Sequence, residues 1–358
     1  MITRGEIPCR RANPDLVRVS VVLPCRNEAL FIRGCLDSIL ANDYPRDWLE
    51  ILVVDGMSDD GTREVVEEYG RHQPNVRIFE NKECTAAAGL NLAIRAAAGA
   101  IIVRMDAHAL FPRNYISRLV AWLQATEAEN VGGAWVTCPQ NSSPMARAIA
   151  FALSHPVGVG NAYFRLQVTE PKWVDTVPFG CYRRELFDRI GVFDEDLVRN
   201  QDDEFNHRIL RSGGRILLVP DVISYYFARD SLRKVWRMYY QYGYFKPLAQ
   251  RKVGRIMTGR QLIPPGFVSI VAALAAISWV SSLAGTALIV LLSVYFGTIF
   301  ASGIDCLRKH GPQCGAGLVL VLPTLHFAYG TGYLKGVFDF IVQRRTRSQE
   351  ASVVRISR

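Results

Sequence analysis

Apolar runs and helical periodicity alternate along the N-terminal part of the chain. Short apolar runs predict strands, and the segments between them carry apolar residues at the spacing of an amphipathic helix. Pro24 is expected to stop the first strand, and Gly99 to close the third helix. Strands separated by helices of this length predict a parallel sheet with helices on its faces. The predicted strands are 17–23, 51–54, 76–79 and 101–103, and the predicted helices are 31–40, 62–69 and 86–98.

The pattern becomes less regular in the middle of the chain. Residues 138–177 are rich in Gly, Pro and Ser and predict a long irregular segment, which inside a domain is often functional. Residues 180–190 and 204–210 have helical spacing, and 215–219 predicts a further strand.

An uncharged apolar stretch of 36 residues covers 267–302. A single helix of that length would be about 54 Å long at ~1.5 Å per residue, whereas the hydrocarbon core of a bilayer is ~30 Å thick. The stretch therefore predicts two membrane spans with a turn near Ser281 and Ser282. Residues 315–333 are a third candidate, weakened by Pro323 and several glycines, and they form either a span or an interfacial segment.

The formal net charge of +9 is concentrated beside this apolar region. Residues 229–260 contain nine Lys or Arg and a single acid, Asp230, and the C-terminal tail is rich in arginine. Basic clusters that flank apolar helices favour anionic lipid headgroups over nucleic acid. The chain is thus predicted to contain five segments: an N-terminal extension (1–16), an α/β domain (17–228), a basic amphipathic interfacial segment (229–263), transmembrane helices (264–340) and a basic tail (341–358).

The eight cysteines include no C-x-x-C pair, which predicts neither a zinc site nor a disulfide framework. The N-terminus lacks the apolar stretch of a signal peptide, so the α/β domain is expected to lie in the reducing cytosol.

Polar residues follow the predicted parallel strands, where ligands bind in such sheets. Asp106 and His108 come after the fourth strand, and a carboxylate with an imidazole suits a divalent ion such as Mn²⁺; the alternative is a turn-capping Asp106 and a solvated His108. Asp55 could accept the imide N–H of uracil or could belong to a turn. Asn27 and Glu28 could line a nucleotide cleft.

Three acidic residues, Asp202, Asp203 and Glu204, lie at the start of the predicted helix 204–210. One of them could serve as a general base, although acids at a helix N-terminus are also stabilised by the helix dipole. No Walker loop is present, which disfavours a P-loop fold.

In this order and spacing, the motifs resemble the family 2 glycosyltransferases of GT-A fold, particularly the bacterial exopolysaccharide (succinoglycan-biosynthesis) branch, over about 19–246. The resemblance implies a mostly parallel α/β sheet followed by a membrane region. It also implies roles for individual residues. Donor binding is assigned to Pro24, Asn27, Glu28, Asp55 and Asp106, metal binding to Asp106 and His108, general-base catalysis to Asp202, and acceptor-side contacts to Phe179, Gly180, Asp203 and Arg229.

The implied reaction is inverting transfer of a hexose, with glucose as the expected sugar, from a UDP-sugar to a lipid-linked oligosaccharide, assisted by Mn²⁺ or Mg²⁺. The Q-x-x-R-W signature of processive synthases is absent, so we expect one sugar per encounter. The implied location is the bacterial plasma membrane with a cytoplasmic catalytic domain, where a polysaccharide-assembly complex is a further candidate partner.

Two departures from the family pattern keep other functions open. His108 replaces the usual last Asp of the D-x-D motif, and Gln201 replaces the Glu before the base. One alternative is a synthase that transfers the sugar to polyprenyl phosphate itself, and another is a catalytically silent, membrane-anchored nucleotide-sugar-binding protein.

Overall fold

The computed structural model describes residues 15–166, 168–256 and 258–345. Most of the predicted N-terminal extension and of the basic tail therefore lies outside the described residues. The chain forms two compact units. Of the described residues, the first unit contains 15–136 together with Leu166–Tyr226, and the second contains Thr137–Arg165 together with 227–345.

In the part of the chain that the structure describes, nine strands form one sheet in the order β3-β2-β1-β4-β8-β6-β9-β5, with β7 paired to β9. The strands are β1 (Val19–Cys25), β2 (Leu49–Asp55), β3 (Val76–Glu80), β4 (Ile101–Arg104), β5 (Ala109–Leu110), β6 (Ala128–Cys138), β7 (Lys172–Trp173), β8 (Cys181–Arg183) and β9 (Arg215–Phe227). The pairs β1/β2, β1/β4 and β2/β3 are parallel, whereas β4/β8 and β6/β8 are antiparallel. The predicted fold class is confirmed. The sheet contains both parallel and antiparallel strand pairs.

The described residues also form twelve α-helices. They are α1 (Ile32–Leu40), α2 (Thr62–His72), α3 (Ala86–Ala96), α4 (Tyr115–Ala125), α5 (Pro144–Ala152), α6 (Pro156–Val159), α7 (Glu185–Ile190), α8 (Gln201–Arg211), α9 (Leu232–Val253), α10 (Ile263–Ile277), α11 (Ser282–His310) and α12 (Pro312–Gly336), which continues into a π-helical turn (Val337–Val342).

The core of the first unit lies between the parallel strands and the helices that cover them. Every residue of β2 is buried, as expected for a strand covered on both faces. Helix α1 packs its apolar stripe, which includes Ile32 and Leu36, into this core. The thiols of Cys25, Cys35 and Cys181 are buried in the same cluster, and burial raises their pKa. These cysteines therefore serve as small apolar side chains.

Four predictions about secondary structure are wrong, and the fourth concerns Gly99. Strand β1 continues through Pro24 to Cys25, and a proline is tolerated there because pairing with β4 ends at Val22. Residues 180–190 are not one helix, since β8 occupies the first part. The segment 138–177 is not irregular throughout, since it contains α5 and α6.

Gly99 does not close the third helix, because α3 already ends at Ala96. The glycine is needed for a close approach instead. A Cβ at this position would lie 2.6 Å from the backbone nitrogen of Ser20, and the Gly99 N–H donates to Ser20 Oγ at 2.8 Å. Gly99 thus allows the chain entering β4 to pass against β1.

The second unit contains three helices that are long and apolar enough to cross a membrane: Gly259–Ile277, Ser282–His310 and Pro312–Val342. The break between the first two falls at the predicted turn, where Ser281 caps α11 by accepting from the Ala284 N–H. The third helix continues through Pro323. In the most apolar 18-residue window of each helix, the buried share is 11% for the first helix, 17% for the second and 44% for the third. The third helix is therefore covered most extensively by the protein itself.

Helix α9 packs closely along α12 through glycines. A Cβ at Gly243 would lie 2.1 Å from the carbonyl oxygen of Tyr329, and one at Gly332 would lie 2.2 Å from that of Tyr240. Such contacts require that no side chain separates the two backbones, as small residues permit at close helix crossings.

A matched pair of glycine substitutions tests this contact. Gly243→Ala should destabilise the second unit, because the methyl group would overlap the Tyr329 backbone. Gly297→Ala in α11 should be neutral or stabilising by up to about 1 kcal/mol, because a Cβ there meets nothing within 4 Å and alanine favours helix. Thermal unfolding in detergent measures both variants. Equal melting temperatures for the two would contradict the packing described here.

Candidate active site

The turns after β1 and β2 are joined to each other by hydrogen bonds. The two strands pair in register so that Cys25 lies beside Asp55, which brings their carboxyl ends together. Asn27 adopts a left-handed conformation with φ of 54°, and its N–H donates to Ser58 Oγ at 2.9 Å. Its side-chain oxygen accepts from the Asp59 N–H at 3.0 Å. Asn27 thus fixes one turn against the other.

Glu28 is held in place by the same pair of turns. Its N–H donates to Thr62 Oγ1 at 2.7 Å, and its carbonyl accepts from the N–H groups of Phe31 and Ile32 at the start of α1. Asp60 supports Thr62 by accepting from its N–H and hydroxyl groups. Partial burial acts to raise the pKa of Asp60, but its hydrogen bonds outweigh this effect and hold the pKa below its usual value.

Asp55, the predicted uracil contact, is buried at the end of β2. Its carboxylate accepts from Ser58, through the N–H at 3.2 Å and the hydroxyl at 2.5 Å. The sequence allowed two roles for Asp55, recognition of uracil or a place in a turn. These hydrogen bonds show that Asp55 orders the turn. Each carboxylate oxygen has a further lone pair, and base recognition by Asp55 stays a prediction.

Asp106 lies just beyond β4 and accepts two hydrogen bonds from Arg104, the last residue of that strand. Arg104 donates from Nε to Oδ1 at 3.0 Å and from Nη2 to Oδ2 at 3.2 Å, and both side chains are largely buried. The Arg104 N–H also donates to the carbonyl of Gly180 at 2.9 Å. Sequence analysis missed Arg104, although a charged residue ending a buried apolar strand signals a paired site.

Asp202, the predicted base, lies in the first turn of α8. One of its carboxylate oxygens accepts from the Asp203 N–H at 3.0 Å. Burial would lower the pKa of Arg104, but the negative charges of Asp106 and Asp202 raise it well above its usual value. The guanidinium is therefore a permanent cation that acts on both predicted carboxylates.

His108 lies near Glu28, with the imidazole Nδ1 3.3 Å from Glu28 Oε1. On its other side the ring meets Tyr226 edge to face, with centroids 5.3 Å apart. Within the described ranges no three metal-ligating side chains form a cluster. His108 Nδ1 is nevertheless a buried polar atom without a hydrogen bond. An imidazole and a carboxylate are donor types that a divalent ion accepts, and metal binding by His108 and Asp106 stays a prediction.

The predicted acceptor-side residues are divided between the two units. Phe179 has a left-handed backbone with φ of 46°, and its ring packs against Trp135 with centroids 5.0 Å apart. A Cβ at Gly180 would lie 2.2 Å from the Tyr182 hydroxyl, so only glycine fits. Asp203 belongs to the first unit, beside Asp202, whereas Arg229 belongs to the second unit. Their acceptor contacts stay predictions.

Comparison with known proteins shows which enzymes this chain is similar to. The family model described as "Glycosyl transferase family 2" matches residues 20–191. The succinoglycan biosynthesis protein ExoA of Rhizobium meliloti is 27% identical over 325 residues, which cover 89% of this chain and 95% of ExoA. A dolichyl N-acetyl-alpha-D-glucosaminyl phosphate 3-beta-D-2,3-diacetamido-2,3-dideoxy-beta-D-glucuronosyltransferase of Methanococcus voltae is 26% identical, over 89% of this chain and 97% of the relative.

A solved structure shares the fold. The mannosyltransferase PcManGT from Pyrobaculum calidifontis, in complex with GDP-Man and Mn²⁺, superposes with a TM-score of 0.58 at 25% identity and covers 93% of this chain and 91% of its own.

Removal of Arg104 tests the buried ion pair. Arg104→Met should lower the free energy of unfolding by about 3–5 kcal/mol, because it leaves the buried Asp106 carboxylate unpaired. The double variant with Asp106→Asn should be less destabilised than Arg104→Met alone, since no unpaired charge remains. Urea unfolding of the purified protein measures both.

The exposed ion pair between Arg33 and Glu68 provides the control. Arg33→Met should leave the unfolding midpoint nearly unchanged, because exposed pairs contribute little. If Arg104→Met were no more destabilising than Arg33→Met, the structural role assigned to the buried pair would be wrong.

Proposed function

Because this chain is a glycosyltransferase with a family 2 domain, we propose that it transfers a hexose, with glucose as the expected sugar, from a UDP-sugar to a lipid-linked oligosaccharide. The transfer inverts the anomeric centre and adds one sugar per encounter. The observation that carries the proposal is the extent of the match to two relatives. Their names contain succinoglycan biosynthesis and a dolichyl phosphate-linked sugar, and both align over 89% of this chain, through the apolar helices as well as the sheet.

Asp202 is the general base of the proposed reaction. The acceptor hydroxyl attacks the anomeric carbon from the face opposite the diphosphate and gives its proton to the Asp202 carboxylate. The new C–O bond forms as the bond from the anomeric carbon to the diphosphate oxygen breaks, and UDP departs with the electron pair. The position of Asp202 at the N-terminus of α8 and the charge of Arg104 favour its ionised form.

Asp106 and His108 would hold the divalent ion, whose chemistry is to neutralise charge that develops on the departing diphosphate. Asn27, Glu28 and Asp55 form the rigid edge against which we place the nucleotide. The two joined turns need no rearrangement to present that edge, which lowers the cost of ordering it on binding.

We place the protein in the bacterial plasma membrane, with the catalytic domain on the cytoplasmic side. Three apolar helices of membrane-spanning length support attachment. The basic stretch 229–260 supports the orientation, since positive residues next to apolar helices favour the cytoplasmic leaflet. A lipid-linked acceptor would then share the membrane with the enzyme.

Asp202→Asn should lower kcat by about 10²- to 10⁴-fold, because the amide cannot take the acceptor proton. Donor affinity should change little, since the variant keeps the shape of the side chain. Turnover is measured as UDP release by membranes supplied with lipid extract, and donor affinity by calorimetry. Asp188→Asn on α7 is the matched control and should retain full turnover. An Asp202→Asn variant as active as the wild type would exclude this residue as the base.

Product analysis distinguishes the proposed acceptor from the alternatives. A panel of UDP- and GDP-sugars, each with Mn²⁺, Mg²⁺ or chelator, should give metal-dependent nucleotide release with one donor and a sugar-extended lipid oligosaccharide. A lipid carrying one sugar, made from polyprenyl phosphate alone, would replace the proposal with a polyprenyl-phosphate synthase. Donor binding without release, with lipid extract present, would identify a silent nucleotide-sugar-binding protein.

A further inference from the structure

The imidazole of His108 has two different environments. Nδ1 is buried, makes no hydrogen bond and lies 3.3 Å from Glu28 Oε1. The side chain as a whole keeps 20% of its surface exposed, so the accessible part of the ring is the edge away from Nδ1, which carries Nε2. One nitrogen therefore faces a carboxylate inside the protein, and the other faces outward.

Glu28 cannot easily move away from this position. Its backbone is tied on both sides, by the donation to Thr62 Oγ1 at 2.7 Å and by acceptance from Phe31 and Ile32 at 2.8 and 2.9 Å. The residue is buried, with 5% of its surface exposed. The joined turns after β1 and β2 thus hold a carboxylate beside His108.

The Asp106 carboxylate is not the one that lies beside Nδ1 of His108. Both of its carboxylate oxygens accept from Arg104, at 3.0 and 3.2 Å, and Arg104 neutralises its charge. An imidazole cannot supply negative charge. His108 stands where the family motif has an aspartate, so the motif lacks one negative charge. Glu28 is the carboxylate next to the imidazole, and its charge can compensate for that loss.

A carboxylate beside one imidazole nitrogen decides which nitrogen carries the proton. Its negative charge favours the tautomer with the proton on the nearby Nδ1, which leaves the lone pair on Nε2 and makes that nitrogen a better metal ligand. We propose that Glu28 is a positioning residue that fixes the Nδ1–H tautomer of His108, so that Nε2 faces the divalent ion accompanying the nucleotide. The inference rests on the proposed metal-assisted transfer, but it concerns metal binding and not turnover.

The test measures Mn²⁺ affinity in the presence of UDP, from the electron paramagnetic resonance signal of free aqueous Mn²⁺; GDP replaces UDP if the wild type binds GDP. Glu28→Gln should weaken Mn²⁺ binding by about 10- to 100-fold. The glutamine amide can donate to Nδ1, and the proton then moves to Nε2, where it blocks the metal. The exposed Glu83→Gln is the matched control and should bind Mn²⁺ as the wild type does.

A second background separates positioning from direct ligation. His108→Asp removes the imidazole and restores a D-x-D motif. In that background Glu28→Gln should leave Mn²⁺ affinity unchanged or strengthen it, because a glutamine no longer repels the new aspartate. An equal loss of affinity in both backgrounds would overturn the proposal, since Glu28 would then be a metal ligand or a purely structural residue.

The His108→Ala variant provides the last comparison for the proposal. A wild-type protein that binds Mn²⁺ no better than His108→Ala would also overturn it. Because no acceptor enters these measurements, they do not depend on whether the proposed lipid acceptor is correct.

Discussion

The parallel pairing of β1 with β2 and β4 is the constraint on which the candidate site depends. Its register sets Cys25 beside Asp55 and Val22 beside Arg104, so the three strands end at one edge of the sheet. Residues far apart in sequence, such as Glu28 and His108, therefore meet there within ion-pair distance. The hydrogen bonds between neighbouring turns then convert this edge into a rigid surface, because the turn backbone is bonded to side chains of the next turn.

Charge balance is the second constraint at this edge. Asp55, Asp106 and Glu28 are carboxylates with little exposure, and burying several like charges together is unfavourable unless they are compensated. Arg104 compensates Asp106 directly and acts on Asp202 through space. Ser58 provides hydrogen bonds to Asp55. Asp106 and Asp55 are therefore each matched by a buried cation or by hydrogen-bond donors.

Sequence patterns identified the parallel half of the sheet and missed most of the antiparallel half. The parallel strands are continuous apolar runs because helices cover both faces, and such runs are conspicuous. Strands β5, β7 and β8 have only two or three residues, too few for a periodicity to emerge. Asp106, His108 and Glu28 could be located from strand ends. Arg104 also ends a strand and carried a signal of pairing, but its partners become visible only when β4, Gly180 and α8 are placed together in three dimensions.

The third apolar helix also gave a weak sequence signal, and the structure explains why. Residues 315–333 gave a weak membrane signal because glycine, proline and polar residues interrupt them. In the structure those interruptions are packing features: Gly332 admits the backbone of Tyr240, and His326 bonds Tyr295 and the carbonyl of Val157. A helix surrounded by other helices needs close contacts and satisfied polar groups more than a uniformly apolar surface. Mean hydropathy is therefore lowest in α12, where protein covers 44% of the apolar window. Helix α10 and residues 282–304 of α11, with most of their surface uncovered, contain no charged residue.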